Sequence, residues 1–257
     1  MSVNYNTKIV SDGMVLCLDG ANPASYVAGS SSWRDIKASR NLTIFGNPAY
    51  TTDKSFEFSN TADYAELVDV HSDLEFQPTQ PYSVFVLMKS KAYSGGAIVS
   101  NMLSFAPNPG WDLWENTTST IAMHLISNWT DRNAIKISVD YDYTANLNRW
   151  IYFGFTYDGT CPTISGNPLS SVDFYLNGSL YTTNKTLTSD ALGFFTSTAS
   201  IPYTSAQRFR VAARYGVSGA FAASANPNVQ VVHLYKKKLS ATEVMQNYIA
   251  LRGRFGI

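Results

Sequence analysis

Apolar and polar residues alternate one for one along most of this chain, the period of a strand with one buried face and one wet face. Residues 135–143 show it most plainly: Ile135, Ile137, Val139, Tyr141 and Tyr143 alternate with Lys136, Ser138, Asp140 and Asp142. Phe209, Val211 and Ala213 stand against Arg208, Arg210 and Arg214 in the same way. Ile151, Phe153, Phe155 and Tyr157 repeat the pattern and end at the turn dipeptide Asp158-Gly159. Residues 172–176 run into Asn177-Gly178, both of which tolerate the positive φ that a tight hairpin requires, and residues 180–182 return. Residues 82–88 are apolar at both parities, which predicts a strand covered on both faces.

One stretch reads as a helix, and it comes last. Ser240 and Glu243 have the spacing of a reciprocal capping box. Val244, Tyr248 and Leu251 then fall on one face, and Gly253 supplies the stop. A shorter helical turn fits near residues 70–74. Loops rich in Pro, Gly and Asn at 106–110, 161–168 and 222–228 each lie between strands. No internal repeat, low-complexity linker or break in composition divides the chain, so residues 1–257 are expected to form one domain, an all-β antiparallel sandwich with a short C-terminal amphipathic helix.

Composition narrows the class of partner. Charged residues are 15% of the 257 and aromatics 14%, with Ser, Thr and Asn filling the polar surface, a balance common in extracellular, virion and adhesion domains. Lys plus Arg equals Asp plus Glu, so the basic excess of a phosphate-contacting protein is missing and no nucleic-acid partner is expected. No apolar run is long enough to span a bilayer, and residues 1–6 lack the basic and apolar segments of a signal peptide. The expectation is therefore a soluble protein made in the cytoplasm. Cys17 lies in the apolar run 14–18 and reads as a small buried hydrophobe rather than as half of a bridge to Cys161.

Several segments, read in order, resemble one family. They are Asp12-Gly13-Met14-Val15-Leu16-Cys17-Leu18-Asp19 with Asn22-Pro23-Ala24-Ser25-Tyr26, the Trp33-Arg34-Asp35 element, and Phe56-Glu57-Phe58 followed by Asp63-Tyr64-Ala65-Glu66-Leu67. Residues 149–159, 172–178 and 234–244 continue the series, and Arg252-Gly253-Arg254-Phe255-Gly256 completes it. Together they are similar to concanavalin A-like, laminin G-type jelly-roll domains, above all to versions found in tailed-phage virion proteins. Cys17 replaces the usual aromatic residue, and residues 37–47 replace the usual Gly- and Asn-rich turn. The resemblance implies two packed antiparallel sheets with the first and last strands side by side and the helix on the rim. It further implies a virion location and a non-enzymatic structural role as a capsid decoration, neck or fibre component that docks on other virion proteins as a homo-oligomer. The first ten residues and the tail after Gly253 are candidate docking arms.

Catalytic patterns are missing. Glycosidases on this sandwich place two carboxylates beside the scissile bond. Glu66 and Asp69 differ in parity, while Asp140 and Asp142 share a face that reads as solvated. There is no nucleophile elbow, phosphate loop or zinc helix, and His71, His124 and His233 are scattered, His233 reading as a core or rim histidine. Laminin G-type relatives hold calcium through loop carboxylates. Asp63 or Asp131 is where such an ion would sit, but no acidic cluster accompanies either, and no cofactor is expected. The best binding candidates are Trp111, Asp112, Trp114, Trp129, Tyr141 and Tyr143, because aromatic faces stack on sugar rings while carboxylates bond their hydroxyls. Core packing is the more ordinary role for such rings. Arg208, Arg210 and Arg214 form a basic stripe that reads as a solvated face or a docking site for an acidic partner. Besides the virion role, the alternative function is a carbohydrate-binding lectin module acting in host recognition; the Asn-x-Ser/Thr sequons carry meaning only on a eukaryotic secretory route.

Overall fold

The computed structural model describes residues 8–93, 95–160, 168–187, 189–190, 193–194, 199–205, 207–216, 219–221 and 227–254. The alternating segments pair into two antiparallel sheets laid face to face. An eight-stranded sheet runs Ser179–Tyr181, Val172–Leu176, Ile151–Tyr157, Tyr82–Ser90, Pro227–Tyr235, Phe56–Glu57, Ala49–Tyr50. Its eighth strand, Met14–Asp19, pairs with Pro227–Tyr235, so the first and last strands do lie side by side. A nine-stranded sheet runs Lys185–Leu187, Asn133–Asp140, Thr120–Asn128, Gly110–Thr117, Gly96–Met102, Arg210–Val211, Tyr64–Leu67, Asn41–Phe45, Ser32–Arg34.

One parity of each strand fills the space between the sheets. Trp33, Phe56, Trp111, Leu113, Ile137, Phe153, Phe174 and Leu234 belong to this continuous apolar layer. Burying a large side chain there contributes roughly 1.5–3 kcal/mol, which makes this layer the main source of stability. The Trp-x-Asp element joins it from the edge. Trp33 is buried, and the buried Asp35 carboxylate accepts the Cys17 and Lys37 N–H groups, each at 2.9 Å, and Arg40 Nε at 3.0 Å.

The eight-stranded sheet is buried on both faces. Phe85 and Leu87, at the second parity of Tyr82–Ser90, join Cys17, Tyr152, Tyr175, Val231 and Tyr235 in a second apolar layer. A bulge between Val229 and Val231 moves the apolar parity of Pro227–Tyr235, so that Val229 and Val232 face inward while Val231 and Tyr235 face outward. The helix Ala241–Arg252 covers this layer with Val244 and Leu251, and Tyr248 packs half-buried beside them. It therefore lies across an outer face and not on the rim, because strands apolar at both parities need a cover. Ser240 Oγ accepts the Glu243 N–H at 3.3 Å and Glu243 Oε2 accepts the Ser240 N–H at 2.9 Å, the reciprocal cap that the spacing predicts. The helix seats on the hairpin turn, where Asn177 and Gly178 have φ of 50° and 80° and a Cβ on Gly178 would meet Tyr248 at 3.0 Å.

Elsewhere the local outcome differs from the alternation. The strand expected over residues 135–143 ends at Asp140. Asp142 Oδ1 accepts the Ala145 N–H at 2.9 Å and caps a helical turn, Tyr143–Asn146, while Asp140 bonds Asn184 Nδ2, also at 2.9 Å. The two carboxylates thus do not share a strand face. Asp69 lies past the end of Tyr64–Leu67. The short turn near residue 72 forms over Ser72–Leu74. Of the expected N-terminal arm, residues 8–10 lie on the helix: Val10 N–H donates to Asn247 Oδ1 at 2.8 Å and Gln246 Nε2 donates to the Lys8 carbonyl at 2.7 Å. Arg254 pairs with Asp19 at 2.6 Å. Residues 1–7 and 255–257, Cys161, and most of the loops at 161–168 and 222–228 lie outside the described residues. Cys17 is buried as expected, and burial, with help from Asp19, pushes its thiol up to about 12. Among the described residues no helix is long and apolar enough to cross a membrane.

Candidate functional site

Among the described residues no helix covers the outer face of the nine-stranded sheet, and the strand Gly110–Thr117 shows how that face is built. Trp111 and Leu113 point into the core, Asp112 and Trp114 point outward. Trp111 is fully buried, its Nε1 donating to the Leu74 carbonyl at 2.8 Å with its ring against Phe76 and Phe209. Tyr141 and Tyr143 are also core residues, 4.6 Å from each other and packed with Phe153 and Tyr93. Burial pushes both phenols above their ordinary range. The six sequence candidates therefore separate: Trp111, Tyr141 and Tyr143 fill the interior, and Asp112, Trp114 and Trp129 come together outside.

Strand register places a row of polar residues side by side across six neighbouring strands. Glu66 lies opposite Arg210, Arg210 opposite Ser100, Ser100 opposite Asp112, Asp112 opposite His124, and His124 opposite Lys136. At the ~4.8 Å spacing of strands the row extends roughly 24 Å. Its charges are compensated locally. Glu66 accepts Arg210 Nε at 2.5 Å and Arg208 Nη1 at 3.1 Å, and the Arg210 guanidinium lies over the rings of Tyr64 and Tyr215, 5.2 and 4.6 Å from their centroids. The arginine stripe is thus tied down by cross-strand carboxylates instead of being a solvated face; Arg210 is only 2% exposed.

Asp112 is the centre of the second group. Arg214 reaches Oδ2 with Nε at 2.6 Å and Nη2 at 2.5 Å, while His124 Nδ1 lies 2.6 Å from Oδ1. Burial pushes the Asp112 carboxyl up, but the Arg214 charge and the His124 contact outweigh it, so the group stands below its usual value and is ionised. Burial pulls His124 below its ordinary value more strongly than Asp112 raises it. His124 is therefore neutral, with Nδ1–H donating to Asp112, and Nε2 is the ring nitrogen left to accept from a ligand. The contact is a hydrogen bond to a carboxylate, not an ion pair. The Arg214 guanidinium also stacks on Trp114, 3.8 Å from the ring centroid.

Beside this group is a cavity of about 200 Å³ lined by Asn108, Trp114, His124, Ile126, Trp129, Lys136 and Arg214. Trp114 and Trp129 are half-buried and stand to either side of His124, their ring centroids 6.2 and 6.5 Å from it. The Trp129 N–H donates to the Pro107 carbonyl at 2.9 Å, which ties its turn to the loop that carries Asn108. Lys136 closes the row. Burial lowers its ammonium, Asp112 partly restores it, and among the described residues it has no ion-pair partner. His124, Arg214, Lys136, Asn108 and Ile126 also line this site, and nothing in the sequence pattern had marked them for it. No local signal marked His124: a two-residue turn at Thr118-Ser119 would set it opposite Leu113, and the bulge between Thr120 and Ile121 moves it opposite Asp112.

The other sequence candidates have structural roles. Asp63 accepts the N–H groups of Asn47, Ser59 and Asn60 and the Asn60 side chain at 2.7–3.3 Å, closing a loop from within. Asp131 closes the turn after Thr120–Asn128 with Asn128. His233 is fully buried, 3.3 Å from the Tyr152 hydroxyl, and burial pulls it down to about 3. Among the described residues no three His, Cys, Asp or Glu side chains gather to hold a metal ion.

No family model matches this sequence, and no curated protein resembles it. Solved structures do share the fold. The receptor-binding domain of botulinum neurotoxin D superposes with a TM-score of 0.58 at 15% identity, over 93% of this chain and 52% of that one. The binding domain of botulinum neurotoxin DC in complex with SialylT gives 0.57 at 13% identity, over 93% and 51%. The DC binding domain in complex with rat synaptotagmin II gives 0.55 at 14%, over 93% and 52%. The chain spans about half the length of these domains, and at this identity the likeness is one of fold.

Proposed function

We propose that this chain is a non-enzymatic, lectin-like binding module that adheres to surface carbohydrate through a cavity on the outer face of its nine-stranded sheet. One observation carries the reading: Trp114 and Trp129 wall a cavity whose floor presents His124 and Arg214, so apolar ring faces and fixed polar groups converge on one small space. Sugars need that combination, C–H faces on aromatic rings and hydroxyls on oriented donors and acceptors. The non-enzymatic part rests on the carboxylates. Asp112 and Glu66 are each engaged by arginine and buried, so neither is free to shuttle a proton beside a glycosidic bond. That the solved structures of this fold named above are binding domains, one of them in complex with SialylT, supports the same class.

The setting we propose is the exterior of a tailed-phage particle, as a decoration, neck or fibre component assembled with other virion proteins, where many weak sites act together. The resemblance of the segments from Asp12 to Gly256 to phage virion domains supports it. A glycan array tests the binding role: retention on at least one surface glycan, lost in Trp129→Ala with an unchanged circular dichroism spectrum, is the expected result. A blank array rejects it. Quantitative mass spectrometry of purified virions tests the setting separately, with absence from particles as the contrary result.

A further inference from the structure

Resting on that carbohydrate reading, we infer that the sugar taken by this site carries a carboxylate, and that the Lys136 ammonium is its charge partner. Of the two carboxylates in the polar row, Glu66 binds Arg208 and Arg210, and Asp112 binds Arg214 in a two-point contact. Each arginine of the stripe thereby has a carboxylate partner, Arg208 and Arg210 sharing Glu66. Lys136 has no such partner among the described residues: its cross-strand neighbour is His124, which is neutral and donates away from it to Asp112. The cavity therefore presents one uncompensated positive charge on its wall.

A half-buried ammonium without a partner is costly where it stands, and an arriving anion recovers that cost as charge-assisted hydrogen bonding. The remaining donors point to the same chemistry. Arg214 spends Nε and Nη2 on Asp112, and Nη1 has no hydrogen-bond partner among the described residues. Lys136 and Arg214 both line the cavity, so an anion there has two cationic side chains available to it. Trp114, Trp129 and Ile126 supply the apolar remainder of the lining, which suits the C–H face of a pyranose and not a bare ion.

Size sets the extent of the ligand. About 200 Å³ is below the ~300–1,000 Å³ of pockets for drug-sized molecules, so the cavity takes a single ring. The ligand class is then one carboxylated monosaccharide unit, a hexuronic or sialic acid, at the end of a chain or as a branch.

The test uses the intact protein and the probes glucuronic acid, galacturonic acid and N-acetylneuraminic acid, each beside its methyl ester, with glucose and galactose as neutral sugars. Binding is read by ligand-observed NMR and titration calorimetry. The expected result is that at least one acid binds about tenfold or more tightly than its ester, the size of one charge-assisted hydrogen bond. Lys136→Met should erase that difference while Lys136→Arg keeps it. Equal binding of acids, esters and neutral sugars, or an acid preference unchanged in Lys136→Met, overturns the carboxylate and leaves the carbohydrate reading standing. Failure of every sugar to bind overturns both.

Discussion

The two sheets turn opposite outer faces to their surroundings, and these are finished in different ways. On the eight-stranded sheet the second parity is apolar: Phe85, Leu87, Tyr152 and Val231 would be wet if nothing covered them, and the C-terminal helix covers them with Val244 and Leu251. On the nine-stranded sheet the second parity is mixed: Glu66, Arg210, Asp112 and His124 form a buried polar row beside a small apolar cluster of Met102, Ile126 and Ala134. Glu66, Arg210, Asp112 and Arg214 compensate one another across strands and leave the cavity between Trp114 and Trp129 accessible. One face is closed by hydrophobic burial, which is non-directional and tolerant. The other is held by hydrogen bonds with fixed geometry, which can orient a ligand.

The largest expected effects lie within one strand. Trp111→Ala on the inner side should lower stability by about 3–5 kcal/mol, a cavity at the centre of the core; urea unfolding measures it. Asp112→Ala, one residue on and facing outward, should cost about 3 kcal/mol, because it leaves the nearly buried Arg214 without its counter-charge. An Asp112→Ala protein as stable as the parent would mean that electrostatics do not hold the open face. The covered face has its own lever in pH. His233 stands at about 3 when folded and near 6.5 when unfolded, so the unfolded chain binds the proton more readily. Stability is then full above pH ~6.5 and falls on acidification toward pH 3, by roughly 3 kcal/mol at pH 4. His124 is lowered as well and adds to the loss in the same direction. Unfolding curves collected from pH 7 to 4 should show this, with a smaller decline in His233→Gln.

Smaller effects sharpen the picture. Ser240→Ala removes one half of the capping box and should cost about 1 kcal/mol, loosening the cover without opening the sandwich; amide exchange confined to the helix reads it. Trp114→Ala should change stability least, within about 1 kcal/mol, since it surrenders mainly a stacking contact with Arg214. Its effect belongs in binding, where retained glycan affinity would count against the site.

Much of this was legible beforehand. Alternation gave the strands, residues 82–88 announced a doubly buried strand, Asn177-Gly178 gave the hairpin, and the Ser240–Glu243 pair gave the helix start. These signals are local: each needs only a few consecutive residues and the period of the backbone. The strand expected to continue to Tyr143 failed where a competing local device, the Asp142 cap, ended it. The site was legible in part. Asp112, Trp114 and Trp129 were among the candidates, but so were Trp111, Tyr141 and Tyr143, because residue type alone does not say which side of a strand faces the core. The arginine stripe was visible as a stripe, while the carboxylates that satisfy it lie on other strands: Glu66 is 144 residues from Arg210 and Asp112 is 102 from Arg214.

The class of architecture, the parity of most strands and the capped helix follow from the residue pattern, since binary alternation and capping chemistry are written in neighbouring positions. Long-range pairing set the helix over the eight-stranded sheet, placed His124 beside Asp112 and, among the described residues, gave Lys136 no ion-pair partner. Those outcomes depend on which strands become neighbours and in what register, and register is fixed only when distant segments bury their apolar faces together.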